Sequence, residues 1–247
     1  MRILICNDDG INSEGIIALA LMLYRKGNEV TVVAPEGNRS SFSHHVNFYI
    51  DVKVHKVDFA EGIEAYTLSG TPADCALYGL RGLNKDFDIV CSGINIGSNL
   101  GSEVLYSGTV AACEEAALLG VKSIAFSYCG HGASRANYTA IAEICGKIFD
   151  KFAPVLGTDY VLNVNIPAEN ANADDVKVTP LGRRIYSDEH KWKDENTYML
   201  TGVPLAIDNP DDCDVLLAEK GYIVATPVTV DRTARSAITD IKNKLKQ

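Results

Sequence analysis

Two adjacent aspartates, Asp8 and Asp9, follow directly after the first apolar run of the chain, residues 3–6. Such a run is typical of a buried strand, so both carboxylates are expected at its carboxyl end, where open α/β sheets bind ligands. Adjacent carboxylates repel and raise one another's pKa. A divalent cation between them would relieve this repulsion. The other interpretation is a helix cap beside a solvated charge.

Further polar loops are predicted at the same edge of the sheet. Their carboxylate, hydroxyl and amide oxygens are hard ligands, which suit Mg²⁺, Mn²⁺ or Ca²⁺ better than zinc. The five histidines show no zinc-site spacing. The loops are residues 7–10, 35–41, 93–101 and 106–109. Together they predict metal chemistry on an anionic substrate.

The loop at 106–109 opens an alanine-rich segment that is predicted to be a helix. A helix N-terminus presents free N–H groups and the positive end of the dipole, which favours a phosphate there. Ser107, Gly108 and Thr109 are therefore candidate phosphate-binding residues. Taken singly, Ser107 and Thr109 are also typical helix caps.

Short apolar runs alternate with segments of helical period. The alternation predicts an α/β protein with a mostly parallel sheet between two layers of helices. Further strands are predicted at 29–34, 88–92, 123–126 and 161–166, and helices at 14–26, from Thr71, at 107–119 and at 141–152.

The pattern changes in the C-terminal third. Residues 183–196 are charged and contain the only tryptophan, Trp192, so they form either a solvated loop or a hairpin arm that packs on a second subunit. A strand at 221–228 and a helix at 232–245 follow. We expect one domain over 1–247, with a core at 1–180, an oligomerisation arm at 181–205 and a final strand and helix within 206–247.

Composition narrows the class of protein. The chain has 247 residues, 47% of them hydrophobic, and a net charge of −9 with scattered cations, which argues against duplex nucleic acid as a partner. The longest apolar stretch has nine residues, too short to span a membrane. The seven irregularly spaced cysteines fit a reducing compartment, and we expect a cytoplasmic protein.

Two other phosphate-handling classes share an acidic site after the first strand. A signalling receiver domain needs an aspartate after its third strand and a lysine after its fifth, but residues 92–93 and 127–128 supply neither. A phosphatase of the haloacid-dehalogenase type needs an Asp-x-Asp pair, which Asp8-Asp9 is not. A metal-activated water is therefore the expected nucleophile.

Five ordered motifs, and two more near the C-terminus, resemble those of the SurE family, the survival-protein nucleotidases that hydrolyse nucleoside 5′-monophosphates. The resemblance covers nearly the whole chain. The motifs are Asn7-Asp8-Asp9-Gly10-Ile11, Arg39-Ser40, Ser69-Gly70-Thr71-Pro72-Ala73-Asp74-Cys75, Ser92-Gly93-Ile94-Asn95, Ser107-Gly108-Thr109-Val110, Gly182-Arg183-Arg184 and Gly221-Tyr222-Ile223-Val224-Ala225-Thr226-Pro227.

The resemblance implies a Rossmann-like core and one Mg²⁺ or Mn²⁺ per subunit. Carried over by motif, the metal ligands are Asp8, Asp9, Ser40 and Asn95. It also implies a homodimer or homotetramer with an exchanged C-terminal arm, which favours the hairpin interpretation of residues 183–203.

We therefore expect a 5′-nucleotidase in which Asp8 and Asp9 are catalytic and a metal-bound water attacks phosphorus. Asn99 is expected to assist Ser107, Gly108 and Thr109 in binding phosphate, and His44 is the candidate for binding phosphate or protonating the leaving oxygen. Ile96 stands where the family often has arginine or alanine, which bears on substrate preference. A broader phosphomonoesterase or an exopolyphosphatase is the alternative activity.

Overall fold

The chain folds around one large, mostly parallel β-sheet with helices on both faces, as the sequence predicted. The computed structural model describes residues 1–130 and 137–245. Its strands are β1 (Arg2–Cys6), β2 (Glu29–Pro35), β3 (Val54–Val57), β4 (Glu64–Leu68), β5 (Ile89–Ile96), β6 (Lys122–Tyr128), β7 (Tyr160–Ile166), β8 (Val176–Val178), β9 (Glu189–Trp192), β10 (Tyr198–Thr201) and β11 (Ile223–Thr229). Its α-helices are α1 (Glu14–Arg25), α2 (Pro72–Leu77), α3 (Gly108–Leu118), α4 (Tyr138–Phe152), α5 (Asp214–Glu219) and α6 (Arg235–Lys244).

The order of the strands creates a crevice beside β1. The sheet formed by the described residues runs β3-β4-β2-β1-β5-β6-β7-β11-β8. From β4 to β7 the strands are parallel, whereas β3 and β11 are antiparallel to their neighbours β4 and β7. The chain builds outward from β1 to β2 in one direction and from β5 to β7 in the other. This reversal between β1 and β5 is a topological switch point, the usual place for a ligand.

The core explains why β1 is apolar at every position. Ile3 and Ile5 face the layer of α1 and α4, while Leu4 and Cys6 face the layer of α2 and α3. All four side chains are fully buried. A parallel strand covered on both sides needs apolar residues on both faces.

The structure corrects the predicted end of the strand at 88–92. The sequence predicts a loop from Gly93 onward, but β5 continues to Ile96 because its pairing with β6 resumes after a register shift between Ser92 and Asn95. A Cβ atom on Gly93 would lie 2.3 Å from the carbonyl oxygen of Phe126, so this glycine permits strand packing. Asn95 therefore lies within the irregular end of a strand.

The charged segment near the C-terminus contains a hairpin. Strands β9 and β10 pair antiparallel, so the segment forms a hairpin and not a wholly irregular loop, while its packing on a second subunit stays a prediction. Strands β3 and β4 and helix α5 were not predicted from the sequence. Among the described residues, no helix has the length and apolar character needed to cross a membrane.

Candidate active site

A cleft of about 730 Å³ opens at the carboxyl edge of β1 and β5. Five of the predicted site residues line it, namely Asp8, Ser40, Asn95, Asn99 and Ser107, whereas Asp9, Gly108, Thr109 and His44 do not. The rest of the lining is Ser41, Ile96, Ser98, Ser102, Glu103, Tyr106, Arg184, Ile185, Tyr186, Asp188, His190 and Leu200.

Asp8 is held by the N-terminus of α3. Its Oδ1 accepts a hydrogen bond from Thr109 Oγ1 at 2.5 Å. A Cβ atom on Gly108 would lie 2.8 Å from the Asp8 Cβ, so a glycine is what lets the helix approach this closely. Burial raises the pKa of Asp8, and the hydrogen bond from Thr109 acts in the opposite direction.

Asp9 is held by the end of β5. Its Oδ2 accepts the backbone N–H of Ile96 at 3.1 Å, and its Oδ1 accepts a longer contact from Asn38 Nδ2 at 3.5 Å. Burial, followed by the charge of Asp8, raises the pKa of Asp9 to about 6. Burial therefore disfavours the charged form of both carboxylates, and the charge of Asp8 also disfavours that of Asp9. A bound cation would offset this electrostatic cost.

Asn95 and Ser40 add neutral oxygen atoms to the site. Asn95 is buried, and its Nδ2 donates to the carbonyl oxygen of Gly97 at 2.9 Å, which leaves Oδ1 as the side-chain atom suited to a cation. Ser40 is exposed on the loop after β2, and the N–H of the preceding Arg39 donates to the carbonyl oxygen of Asp8 at 2.6 Å. This bond ties the Ser40 loop to the acidic pair.

Of the predicted phosphate-binding residues, Ser107 and Asn99 line the cleft, whereas Thr109 does not. Ser107 Oγ accepts the N–H of Val110 at 3.1 Å and caps α3, so its hydroxyl proton remains available to a ligand in the cleft. Asn99 lines the cleft, and its Nδ2 donates to Ser127 Oγ at 2.8 Å. Thr109 is fully buried with its hydroxyl on Asp8, and its contact with phosphate stays a prediction.

His44 is placed away from the cleft. Its ring lies between two residues of α3, with Nδ1 2.9 Å from Glu114 Oε2 and Nε2 2.5 Å from Glu115 Oε1. Hydrogen bonds to these carboxylates raise the pKa of His44 to about 9. The residue lines a separate cavity of about 350 Å³ that also contains Arg232. His44 therefore does not line the described cleft, and its role toward phosphate or the leaving oxygen stays a prediction.

The base of the arm contributes residues that sequence reasoning missed. Arg184 Nη1 donates to Ser98 Oγ at 2.9 Å and lies 3.4 Å from Glu103 Oε2, and the Tyr186 hydroxyl donates to Glu103. His190 also lines the cleft. The motif at 182–184 marked Arg184 in the sequence, but no local pattern paired it with a glutamate 81 positions earlier.

Two asparagines of β7, Asn163 and Asn165, were also missed. They are buried and contact the backbone of Asn99. Their signal in the sequence was a pair of amide side chains at alternate positions of an otherwise apolar strand.

The topology and the cleft define a Rossmann-like α/β protein with a polar cleft at the switch point of its sheet. A sequence model of the family described as survival protein SurE matches residues 3–188. The chain belongs to the SurE family.

Similar proteins extend this likeness over the whole chain. The 5′-nucleotidase SurE of Clostridium beijerinckii is 38% identical over 252 residues, which cover 98% of each chain. That of Caldanaerobacter subterraneus is 34% identical over 248 residues, covering 98% of this chain and 96% of the relative. The crystal structure of the SurE protein from Aquifex aeolicus superimposes with a TM-score of 0.83 at 34% identity, covering all of both chains.

Proposed function

We propose that this chain hydrolyses nucleoside 5′-monophosphates to nucleoside and inorganic phosphate with the help of one divalent cation. Its SurE relatives are named 5′-nucleotidases. The observation that carries the proposal is that two features meet at one cleft: the acidic pair, of which the buried Asp8 lines the cleft, and the N-terminus of α3 at Ser107. The first feature suits a cation, and the second suits a phosphate.

Asp8, Asp9, Ser40 and Asn95 would hold Mg²⁺ or Mn²⁺. Among the described residues, no group of three or more His, Cys, Asp or Glu side chains is arranged for a metal ion. The site would therefore use two carboxylates together with neutral serine and asparagine oxygens, a donor set that fits a hard cation. Bound there, the cation would polarise the phosphate and lower the pKa of a bound water.

The side chains of the cleft would then orient the reactants. Among the described residues, Asp9 Oδ1 has only the 3.5 Å contact with Asn38, and this oxygen would orient the attacking water. The Ser107 hydroxyl and the Asn99 amide donate to phosphate oxygens and keep phosphorus in line with that water. A new bond would form between the water oxygen and phosphorus as the bond to the 5′-oxygen breaks, and one proton of the water would pass to the departing 5′-oxygen, which releases nucleoside and inorganic phosphate.

The remainder of the cleft has room for a nucleoside. Its volume lies in the range of small-molecule sites, and Ile96, Tyr106 and Leu200 offer apolar and aromatic surface beside the phosphate-binding residues. Arg184 also lines the cleft, where its charge is paired with that of Glu103.

We further propose that the protein is a cytoplasmic homodimer or homotetramer. The arm exposes large apolar side chains, including Trp192, Met199 and Leu200, which an exchanged subunit would cover. All seven cysteines lie within the described residues and are free thiols, which suits a reducing compartment.

The test is phosphate release from a panel of nucleoside 5′- and 3′-monophosphates and polyphosphate, with EDTA, Mg²⁺ or Mn²⁺. We expect 5′-monophosphates to be preferred, EDTA to abolish turnover and added metal to restore it. Asp9→Asn should lower kcat/KM by at least about 100-fold. The control is Asp86→Asn, which alters an exposed carboxylate outside the cleft.

Metal-independent turnover, or full activity of Asp9→Asn, would contradict the mechanism. Equal kcat/KM on 3′-monophosphates or polyphosphate would instead support the broader phosphomonoesterase or exopolyphosphatase activity.

A further inference from the structure

A row of buried polar side chains crosses the sheet beneath the cleft. Asn95 of β5 is in register with Ser127 of β6, which is in register with Asn165 of β7. Residues in register on neighbouring strands lie side by side on one face of a sheet. The row therefore leads from the candidate metal site to a strand that takes no direct part in it.

Asn165 binds both backbone groups of Asn99. Its Oδ1 accepts the Asn99 N–H at 2.8 Å, and its Nδ2 donates to the Asn99 carbonyl oxygen at 3.1 Å. Asn163 Nδ2 donates to the same oxygen at 2.8 Å. The carboxamide of Asn165 thus bonds to both the N–H and the C=O of Asn99, as the backbone of a neighbouring strand would. These bonds fix the position of the Asn99 backbone.

The side chain of Asn99 is also fixed. One proton of its Nδ2 is donated to Ser127 Oγ, which leaves the second proton for a ligand in the cleft. A donor whose backbone and side chain are both held needs little reorganisation to bind an oxyanion. The network therefore holds Asn99 in place while one N–H of its side chain remains free to donate to a phosphate oxygen.

Two amides inside an apolar sheet are costly to bury. Their cost is only partly offset, because Asn163 Oδ1 has no hydrogen-bond partner among the described residues. Apolar side chains at these positions of β7 would avoid that cost. The burial of these two asparagines is explained if they hold the loop after β5 in the position in which Asn99 binds phosphate.

We propose that Asn165, assisted by Asn163, is a positioning residue for phosphate that acts through Asn99. The inference rests on the proposed function, in which Asn99 donates to the substrate phosphate. It extends the site to a strand on the far side of β6, beyond the side chains that line the cleft.

The test compares Asn165→Ala, Asn99→Ala and the double variant, each with saturating Mn²⁺. We expect Asn165→Ala to raise both the KM for a nucleoside 5′-monophosphate and the inhibition constant of inorganic phosphate by about tenfold. Asn99→Ala should do the same. The double variant should be little worse than Asn99→Ala, because Asn165 acts through the side chain that is already missing.

The matched control is Ser123→Ala on β6. Ser123 is fully buried and donates to the carbonyl oxygen of Cys113 at 3.0 Å, at the opposite end of the strand from Ser127. This variant should lower the melting temperature without changing phosphate inhibition. If Asn165→Ala does not fold, Asn163→Ala removes a single bond to the loop and should give a smaller rise in the same direction.

Phosphate inhibition within twofold of the parent in Asn165→Ala would overturn the inference. So would an equal effect of Ser123→Ala, or effects of Asn165→Ala and Asn99→Ala that multiply fully. If Asn99→Ala itself leaves phosphate inhibition unchanged, the role of Asn99 in the proposed function fails as well. Loss of that role is thus distinguished from loss of the positioning role alone.

Discussion

The carboxylate of Asp8 depends on α3 for its orientation, because Thr109 Oγ1 donates to it from the first turn of that helix. We predict that Thr109→Val raises the Mn²⁺ concentration for half-maximal activity by about tenfold, since a hydrogen bond to a charged group is lost. Thr109→Ser keeps the hydroxyl and should behave like the parent. Activity titrated with Mn²⁺ measures both. Identical titrations for Thr109→Val and the parent would contradict this role.

His44 should make the stability of the protein depend on pH. Its pKa is raised to about 9 in the fold from an ordinary value of 6.5, by Glu114 and Glu115. The proton is therefore bound more tightly in the folded state, so the stabilisation is complete below pH 6.5 and is lost as the pH rises through 9. Arg232 Nη2 lies 3.7 Å from Glu114 Oε2 and is the other cation of this group.

The matching experiment is thermal unfolding of the parent and of His44→Gln across this pH range. At the acidic end the variant should be less stable by up to about 3 kcal/mol, because the two carboxylates lose their cation. The difference should shrink toward about pH 9.5, above the pKa of 9. A difference that does not vary with pH would show that the His44 pair is not ionic.

At the scale of residues, the sequence predicted the location of side chains that directly follow a buried strand. Asp8 and Asp9 follow an unmistakably buried run, so their place at the edge of the sheet follows from the pattern alone. The partners of His44 and Asn165 do not, because Glu115 is 71 positions from His44, and Asn99 is 66 positions from Asn165. Only the fold brings such pairs together.

Helix α2 and the loop that carries Ser40 share one carboxylate. Asp74 accepts the N–H of Thr71 at 2.8 Å, and Thr71 Oγ1 accepts the N–H of Asp74 at 3.1 Å, which closes the first turn. Asp74 Oδ1 also accepts the N–H of Asn47 at 3.0 Å. The cap of a helix therefore anchors the far end of a loop that lines the cleft.

We expect Asp74→Ala to lower the free energy of unfolding by about 2 kcal/mol, through loss of the cap and of the bonds to the loop. It should also lower kcat/KM, because the Ser40 loop loses an anchor. Asn28→Ala removes a bond to the Leu23 carbonyl oxygen at the end of α1 and is the control for stability alone. Denaturant unfolding and nucleotidase assays give both quantities. An unchanged kcat/KM in Asp74→Ala would show that the cap of α2 does not influence the active site.

At the scale of elements, length and the clarity of the apolar pattern decided what the sequence could predict. Helices α1, α3 and α4 and strands β1, β2, β6 and β7 have an apolar pattern that identifies them, whereas β4, as long as β1, has partly exposed residues among its buried ones. Strand β3 has four partly exposed residues and α5 has six residues, too few for a distinct period. The extension of β5 depends on pairing with β6 after a register shift, which a single strand's sequence does not encode.

The arm carries the prediction that concerns the whole molecule. The Trp192 and Tyr198 rings pack edge to face at 5.2 Å, yet Trp192 remains 64% exposed. We predict that the protein is a dimer or larger in solution and that Trp192→Glu shifts it toward the monomer, because a charge would be buried in the interface. Light scattering coupled to gel filtration measures the mass.

Val155→Glu is the control, since Val155 is also exposed but lies outside the arm. Dissociation should also change the KM for nucleotide, because His190 and Leu200 of the arm line the cleft. A parent protein that is already monomeric would exclude the arm as an assembly element.

The antiparallel position of β11 has a consequence for synthesis on the ribosome. The parallel strands through β7 are complete once residue 166 has emerged, but within the part of the chain that the structure describes the outer edge of β7 pairs only with β11, at residues 223–229. Domains fold from the N-terminus while the chain is still being made. During that interval the nascent sheet exposes a row of unpaired N–H and C=O groups, the kind of edge that joins other chains. Between the emergence of residue 166 and that of residue 229, this open edge of β7 therefore adds a risk of aggregation that pairing with β11 later removes.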